Sequence, residues 1–365
     1  MRRGTIVIAL FILIVAGVIG AVFFLRNQPP LEITLAVDPL AADWMEEAVQ
    51  NFNASDITIN NTQRIHLTYT VIPDFDVWQD TPWTAQNHPD GWLASSSTAT
   101  TYANMPLQII APSTARTLLV WGAYTSRANV LTDDGTIPLD WAQVINAAET
   151  ENWGLLGGEE NWRFVKLAFS LPDSTTIGLA ALFSGAAAVA ENVNISGATR
   201  GADFEDQIGA VVNRVPNFNT IGADAAAFMA RGISQAEIAL APESQWLNNL
   251  QGIVRNEPIM FSYPEYAFVF DFPLAAYEDT TDPQNADAIA AVQAFGAWLL
   301  RPEQQATLGN YGLRPVNNAP SEPNDLFAAG EQYGIQRNPI ISAIIQPPNV
   351  NEARALIQWF GTVSR

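Results

Sequence analysis

Residues 164–183 read FVKLAFSLPDSTTIGLAALF, and this stretch restricts the fold more than any other in the chain. Its first six residues have the apolar character of a short buried strand. Ser170-Leu171-Pro172-Asp173 makes a turn, and Ser174-Thr175-Thr176 supplies N-cap hydroxyls to a helix that includes 178–183. A strand, a hydroxyl-lined turn and a helix start in succession form a cradle, because unsatisfied N–H groups and the positive dipole end point into the turn. An ordinary capped helix has the same pattern, so the stretch fixes local structure and leaves a ligand open.

The same order of pieces recurs along the chain. Residues 31–37 read as a strand, Asp38-Pro39 as a turn, and 40–52 as a helix with Trp44, Ala48 and Phe52 on one face. Strands are expected at 65–72, 107–111, 116–121, 236–241, 259–262 and 266–274. Helices are expected at 140–150, 204–215, 223–231, 287–300 and 350–360. Ser95-Ser96-Ser97-Thr98 is a second hydroxyl-rich turn, and Pro216-Asn217-Phe218-Asn219-Thr220 a third polar one. This alternation predicts an α/β fold with mostly parallel sheets.

Ahead of these units lies a run of 21 residues without a charge, 5–25, preceded by Arg2-Arg3. It is long enough to span a bilayer with its positive flank in the cytoplasm. Residues 1–30 are therefore expected to form one N-terminal transmembrane helix and a Pro29-Pro30 linker, as a single-pass anchor with the rest outside the cytoplasm. Cleavage as a signal peptide, giving a secreted protein, is the alternative. The chain has no cysteine, which excludes a lipidated-cysteine anchor and any disulfide. All 37 acidic residues but only 14 of the basic ones lie beyond residue 30, a net −23. Nucleic acid and anionic lipid, which need a basic footprint, are disfavoured as partners.

Reactive chemistry is sparse. Two histidines, His66 and His88, and no cysteine leave no usual transition-metal spacing, and no nucleophile elbow, phosphate loop or zinc-protease motif is present. No catalytic residue, metal or cofactor is expected. Asp133-Asp134, Glu159-Glu160 and the acidic run 279–282 lack calcium-loop spacing and read as solvated loops. Trp78, Trp83, Trp92 and Tyr102 are either a stacking surface for a ring or, more simply, core. Lys166, the one lysine, reads as a solvated residue on a strand edge.

Several motifs carry a family likeness in their order: Pro89-Asp90-Gly91-Trp92-Leu93, Ala115-Arg116-Thr117-Leu118-Leu119-Val120, 164–179, and Tyr263-Pro264-Glu265 with Asp271-Phe272-Pro273-Leu274. Arg301-Pro302-Glu303-Gln304-Gln305 and Tyr311-Gly312-Leu313-Arg314-Pro315 complete the set. Together they resemble bacterial extracellular solute-binding proteins of the type II periplasmic-binding fold, in particular the group often fused to a von Willebrand factor A domain. No such domain is expected here, since Arg365 follows the terminal helix. The resemblance runs over roughly 31–320 and implies two α/β lobes joined by two crossover strands, with 31–115 plus 268–365 as lobe one and 116–267 as lobe two. It implies a small-molecule solute held between them, and a partner that is an ABC-type transporter permease or a membrane sensor. The turns that would face the cleft contribute Asp38, Ser95, Ser96, Ser97, Thr117, Ser174, Thr175, Thr176, Asn219 and Thr220. Donors at helix starts suit a sugar or an oxyanion. Where relatives have Ser-Pro this chain has Thr117-Leu118, and where they have His-Thr-Asp it has Phe169-Ser170-Leu171. The apolar replacements motivate a second expectation, a membrane-anchored interaction or scaffold protein that has kept the fold and lost its ligand.

Overall fold

The computed structural model describes residues 29–60, 63–79, 83–317 and 322–364, together with Phe11 and 13–17 in a helical stretch. The expected membrane-spanning run 5–25 lies mostly outside the described residues. Among the described residues no helix is long and apolar enough to cross a membrane.

Two sheets organise the chain. The first contains β1 (Leu31–Val37), β2 (Thr58–Ile59), β3 (Gln63–Val71), β4 (Gly91–Leu93), β5 (Leu107–Ala111) and a late arrival, β12 (Leu274–Tyr277), in the order β2-β3-β1-β4-β12-β5. Helices α1 (Ala42–Ala54), α2 (Asp74–Gln79) and α3 (Ser97–Ala103) connect its strands. Helix α1 buries Trp44, Met45, Ala48, Val49 and Phe52, the apolar face expected from its spacing. Phe52 meets the rings of Phe295 and Trp298 edge-on at 5.1 and 5.7 Å, so the later helix α11 (Asn285–Leu299) closes the same core.

The second sheet is built on β6 (Thr117–Tyr124), whose eight residues are all buried. Its neighbours are β8 (Ile238–Pro242) on one side and β9 (Ile259–Ser262) and β11 (Val269–Phe270) on the other, with β7 (Leu167–Phe169) outside β8. Around it pack α4 (Thr125–Thr132), α5 (Trp141–Thr150), α6 (Thr176–Ala190), α7 (Ala202–Asn213), the short α8 (Phe218–Ile221) and α9 (Ala225–Met229), and α10 (Glu243–Val254). A minor pair joins β10 (Tyr266–Ala267) to β13 (Ala343–Ile344).

The expectation of mostly parallel sheets needs correction. β1 is parallel to β3 and β4, and β7 to β8, but β6 runs antiparallel to β8, β9 and β11, and β12 antiparallel to β4 and β5. The reason is the return of the chain from the second sheet into the first. The strand expected at 266–274 breaks into β10, β11 and β12, the second break falling where Phe272 takes φ 44° and Pro273 has no N–H to give a ladder. The strand expected from 164 also starts late. Arg163 has φ 63° and Phe164 is exposed, so only Leu167–Phe169 joins the sheet. Lys166 is not a free edge cation: its Nζ lies 3.2 Å from the fully buried carboxylate of Glu237.

Residues 112–116 and 271–273 pass between the sheets side by side, with Thr114 donating from N and Oγ1 to the Phe272 carbonyl at 3.1 and 2.7 Å. A third strand of chain crosses beside them, where Arg116 and Arg314 exchange backbone hydrogen bonds. After α12 (Pro302–Ala306) and this crossing, α13 (Leu326–Gly330) packs on α10 of the second unit. The terminal helix α14 (Val350–Val363) sets Phe360 against Phe218 and Trp359 against Phe204, each at 4.9 Å. It touches the first unit as well, since Arg354 donates to the Trp78 carbonyl. The C-terminal segment therefore contacts both halves.

Candidate ligand-binding cleft

Strands β1 and β3 end level, Val37 opposite Val71, so Asp38 and Pro73-Asp74 leave the first sheet together at its carboxyl edge. On the second sheet β7 ends at Phe169, opposite Leu240, two residues before parallel β8 ends at Pro242, and the two lead to the starts of α6 and α10. Between these edges lies a cavity of about 660 Å³. The first side contributes Asp38, Asp43, Trp44 and Asp74; the second contributes Ser174, Thr175, Thr176, the turn 222–224, Ser244, Gln245 and Asn249. Tyr311 and Leu313 reach it from the third crossing. Ligands in open α/β sheets bind at this kind of place, outside the carboxyl ends of strands.

Two carboxyls dominate the first wall. Asp38 accepts from Leu40 N at 2.9 Å and from Asp74 N at 3.0 Å. Asp74 is fully buried and accepts from Trp92 Nε1 at 3.1 Å and from both N and Oγ of Ser95 at 2.7 Å. Burial pushes Asp38 up to about 6, its two N–H donors opposing. Burial and the neighbouring Asp38 charge hold Asp74 well above the usual carboxylate range. Across the cavity Asp224 caps α9 through Ala227 N at 2.8 Å and takes Asn249 Nδ2 at 3.1 Å; burial raises it too. Among the described residues, no Arg, Lys or His lines the cavity.

The second wall is held by close backbone packing. Thr175 caps α6, its Oγ1 accepting from Gly178 N at 2.9 Å and donating to the Leu171 carbonyl at 2.8 Å. A Cβ at Gly178 would fall 2.3 Å from Ser170 O and 2.5 Å from Leu171 C, so glycine is what lets the helix seat on its own turn. Ser170 Oγ donates to the Ala223 carbonyl at 3.0 Å, tying that turn to the next one in the wall. Helix α10 has Pro242 as N-cap, which offers no hydroxyl, and Thr117 Oγ1 from β6 accepts from Ser244 N at 3.2 Å instead. Gly312, at φ 67°, presses against the Ser244 backbone and so brings Tyr311 and Leu313 to the cavity. Three oxygens of this wall, Thr176 Oγ1, Ser244 Oγ and Gln245 Oε1, are buried without a hydrogen-bond partner.

Of the residues the sequence pointed to, the cavity brings together Asp38, Ser174, Thr175 and Thr176. Ser95 and Thr117 stand one layer behind, their hydroxyls committed to Asp74 and to Ser244 N. Ser96 caps α3 through Thr98 N. Ser97 donates its N–H to Asp271 and lines a separate hollow beside the crossovers, so 95–97 do not form the wall facing 174–176. Asn219 and Thr220 are exposed, with Asn219 on a shallow surface recess; the polar turn that enters the cavity is the following one, 222–224. Asp74, Asp224, Ser244 and Gln245 were not singled out. Asp74 had a legible signal: it follows β3 as Asp38 follows β1, and the two strands are parallel neighbours.

The other sequence features resolve as structure. Trp78, Trp83, Trp92 and Tyr102 are core residues rather than a stacking surface. His88 stacks on Tyr277 at 3.9 Å with its Nε2 3.7 Å from Asp279, and His66 pairs with Glu32. Asp279 is buried, not solvated as expected, because Thr281 donates to it from N and Oγ1.

No family model matches the chain, and no curated protein does. Solved structures do match. The sulfate-binding protein SubI from Mycobacterium tuberculosis H37Rv aligns with TM-score 0.51 at 14% identity, covering 88% of this chain and 96% of its own. A periplasmic thiamin binding protein aligns with TM-score 0.59 at 12% identity, covering 93% and 98%. A sugar transporter structure from Arthrobacter chlorophenolicus A6 with bound laminaribiose aligns with TM-score 0.55 at 12% identity, covering 92% and 94%. At such identities the likeness is one of fold. The chain has the α/β architecture of extracellular solute-binding proteins, as its motifs suggested, and the first two of these neighbours are named as binding proteins.

Proposed function

We propose that this chain is an extracytoplasmic solute-binding protein, whose lobes, 31–115 plus 268–365 and 116–267, close on a small polar solute for delivery to a transporter or a sensing partner. In this reading α14 is a strap shared by both lobes, and the run 5–25 anchors the protein in the membrane. The finer likeness to the von Willebrand-fused group rests on the sequence motifs alone. One observation carries the proposal: a cavity of about 660 Å³ has walls from both sheets, and three buried oxygens of its lining have no partner in the protein. Unsatisfied buried polar groups are rare in native proteins and call for an occupant.

Neighbours of this fold bind solutes as different as sulfate, thiamin and laminaribiose, so the fold does not choose the solute. Between the two classes expected from sequence, an oxyanion is the poorer fit, since the lining carries carboxyls and no cation. The scaffold reading loses its motive. Of the two apolar replacements behind it, Phe169 packs in the core with its ring 5.1 Å from that of Phe218, and Leu171 is half-buried at a separate surface recess; neither is in the cavity lining. Native mass spectrometry of freshly purified protein tests the proposal. A retained solute mass, lost after unfolding and dialysis, is the expected result; protein with no retained mass that also shows no thermal shift across a broad solute library would contradict it.

A further inference from the structure

The cleft is one-sided in charge. Asp38, Asp43, Asp74 and Asp224 line it, and among the described residues no basic one does. Elsewhere the chain supplies its own counter-charges to buried carboxylates. Glu237 has Arg127 at 3.1 Å and Lys166 at 3.2 Å, Glu243 has Arg314, and Asp325 has Arg337 at 2.8 Å. Burying a carboxylate without such a partner is strongly unfavourable, and Asp38 and Asp74 are buried in the cleft with no ion pair among the described residues, while Asp224 is half-buried and Asp43 exposed.

Hydrogen-bonding capacity in the cleft is biased the same way. Gln245 Nε2 donates to the Ala223 carbonyl at 3.0 Å, which fixes the amide and leaves Oε1 as a buried acceptor lacking a donor. Ser244 is only 3% exposed and its Oγ has no partner. Meanwhile helix-start and turn N–H groups that would hold an anion already donate to side-chain oxygens: Leu40 and Asp74 to Asp38, Gly178 to Thr175, Ala227 to Asp224, and Ser244 to Thr117. The backbone donors are committed, while the cleft keeps one acceptor that cannot donate, Gln245 Oε1, and two hydroxyls, Ser244 and Thr176, that can serve either way.

We propose, on the basis of the solute-binding reading above, that the cleft takes a small organic cation, a polar solute bearing a protonated amine. Asp38 and Asp43 on one wall and Asp224 on the other are its counter-charges, while Gln245 Oε1 and Ser244 Oγ accept from its N–H groups. Trp44 and Tyr311 line the same cavity and offer ring surface to the charge. A bound metal ion fits less well, because among the described residues no three His, Cys, Asp or Glu side chains converge to hold one.

Calorimetry and thermal shift on the full chain in three solute sets test the proposal: putrescine, glucosamine and thiamine; glucose, maltose and myo-inositol; sulfate, phosphate and gluconate. The expected result is binding confined to the first set, weakened by added sodium chloride and at least about tenfold weaker in Asp43→Asn and Asp224→Asn. Asn keeps the capping oxygen at position 224, so that variant separates loss of charge from loss of fold; its unliganded melting temperature reports the fold directly. Binding by the neutral or anionic set with the cations silent overturns the cationic assignment and leaves the solute-binding reading standing. Silence in all three sets, with no solute retained on purification, overturns both. Cation binding that is insensitive to salt and to both substitutions also overturns the assignment of these carboxylates.

Discussion

At the scale of single residues, Asp38 and Asp74 concentrate the cost of the cleft. Both leave parallel strands at the same edge, and both are buried where their ionised forms are disfavoured. A carboxyl raised in the folded state binds its proton more tightly folded than unfolded. Its contribution to stability is therefore complete below the ordinary value of about 4 and is lost as pH rises through the folded value. For Asp38, pushed up to about 6, this is worth roughly 3 kcal/mol at most. Urea unfolding of the wild type and Asp38→Asn should show the wild type losing ground to the variant by up to that amount between about pH 4 and pH 7. Parallel stability curves would contradict the burial of this pair as the source of strain.

At the scale of elements, the turn and helix over 170–190 show what local sequence encodes. The strand end, the Thr175 cap and the helix were legible because each follows from residue chemistry within a few positions. Which turns meet in space was not. Ser95 and Thr117 looked like cleft walls because hydroxyls at helix starts are donors, yet each hydroxyl serves the protein's own neighbour first. Asn219 and Thr220 failed for a related reason, since Asn217 caps α8 and turns them outward to solvent. Asp224 and Gln245 enter the cleft only through the pairing order of the second sheet, which no short-range pattern contains. Gly178 is the position where sequence and site meet. A Gly178→Ala variant must push the α6 start off Ser170 and Leu171, so it should lose about 3 kcal/mol of stability by chemical denaturation and bind solute more weakly. An unchanged midpoint would show that the turn yields, and that its fit to the helix does not set the wall.

At the scale of the whole molecule, the two sheets are joined by three neighbouring passages, 112–116, 271–273 and the Arg314 crossing, and by the shared terminal helix. Phe272, in the middle passage, combines a left-handed backbone with a ring set edge-on to Trp44 at 6.4 Å, and Trp44 lines the cavity. The cleft and the crossover thus share a packed contact, the kind of connection through which an occupant can bias the angle between lobes. A ligand shifts such an equilibrium only by its difference in affinity for the open and closed forms. Small-angle scattering of the protein, stripped of solute and then saturated with one shown to bind by calorimetry, is the direct test. The expected result is a smaller radius of gyration on saturation; superimposable curves for the stripped and saturated protein would contradict closure of two lobes on a solute.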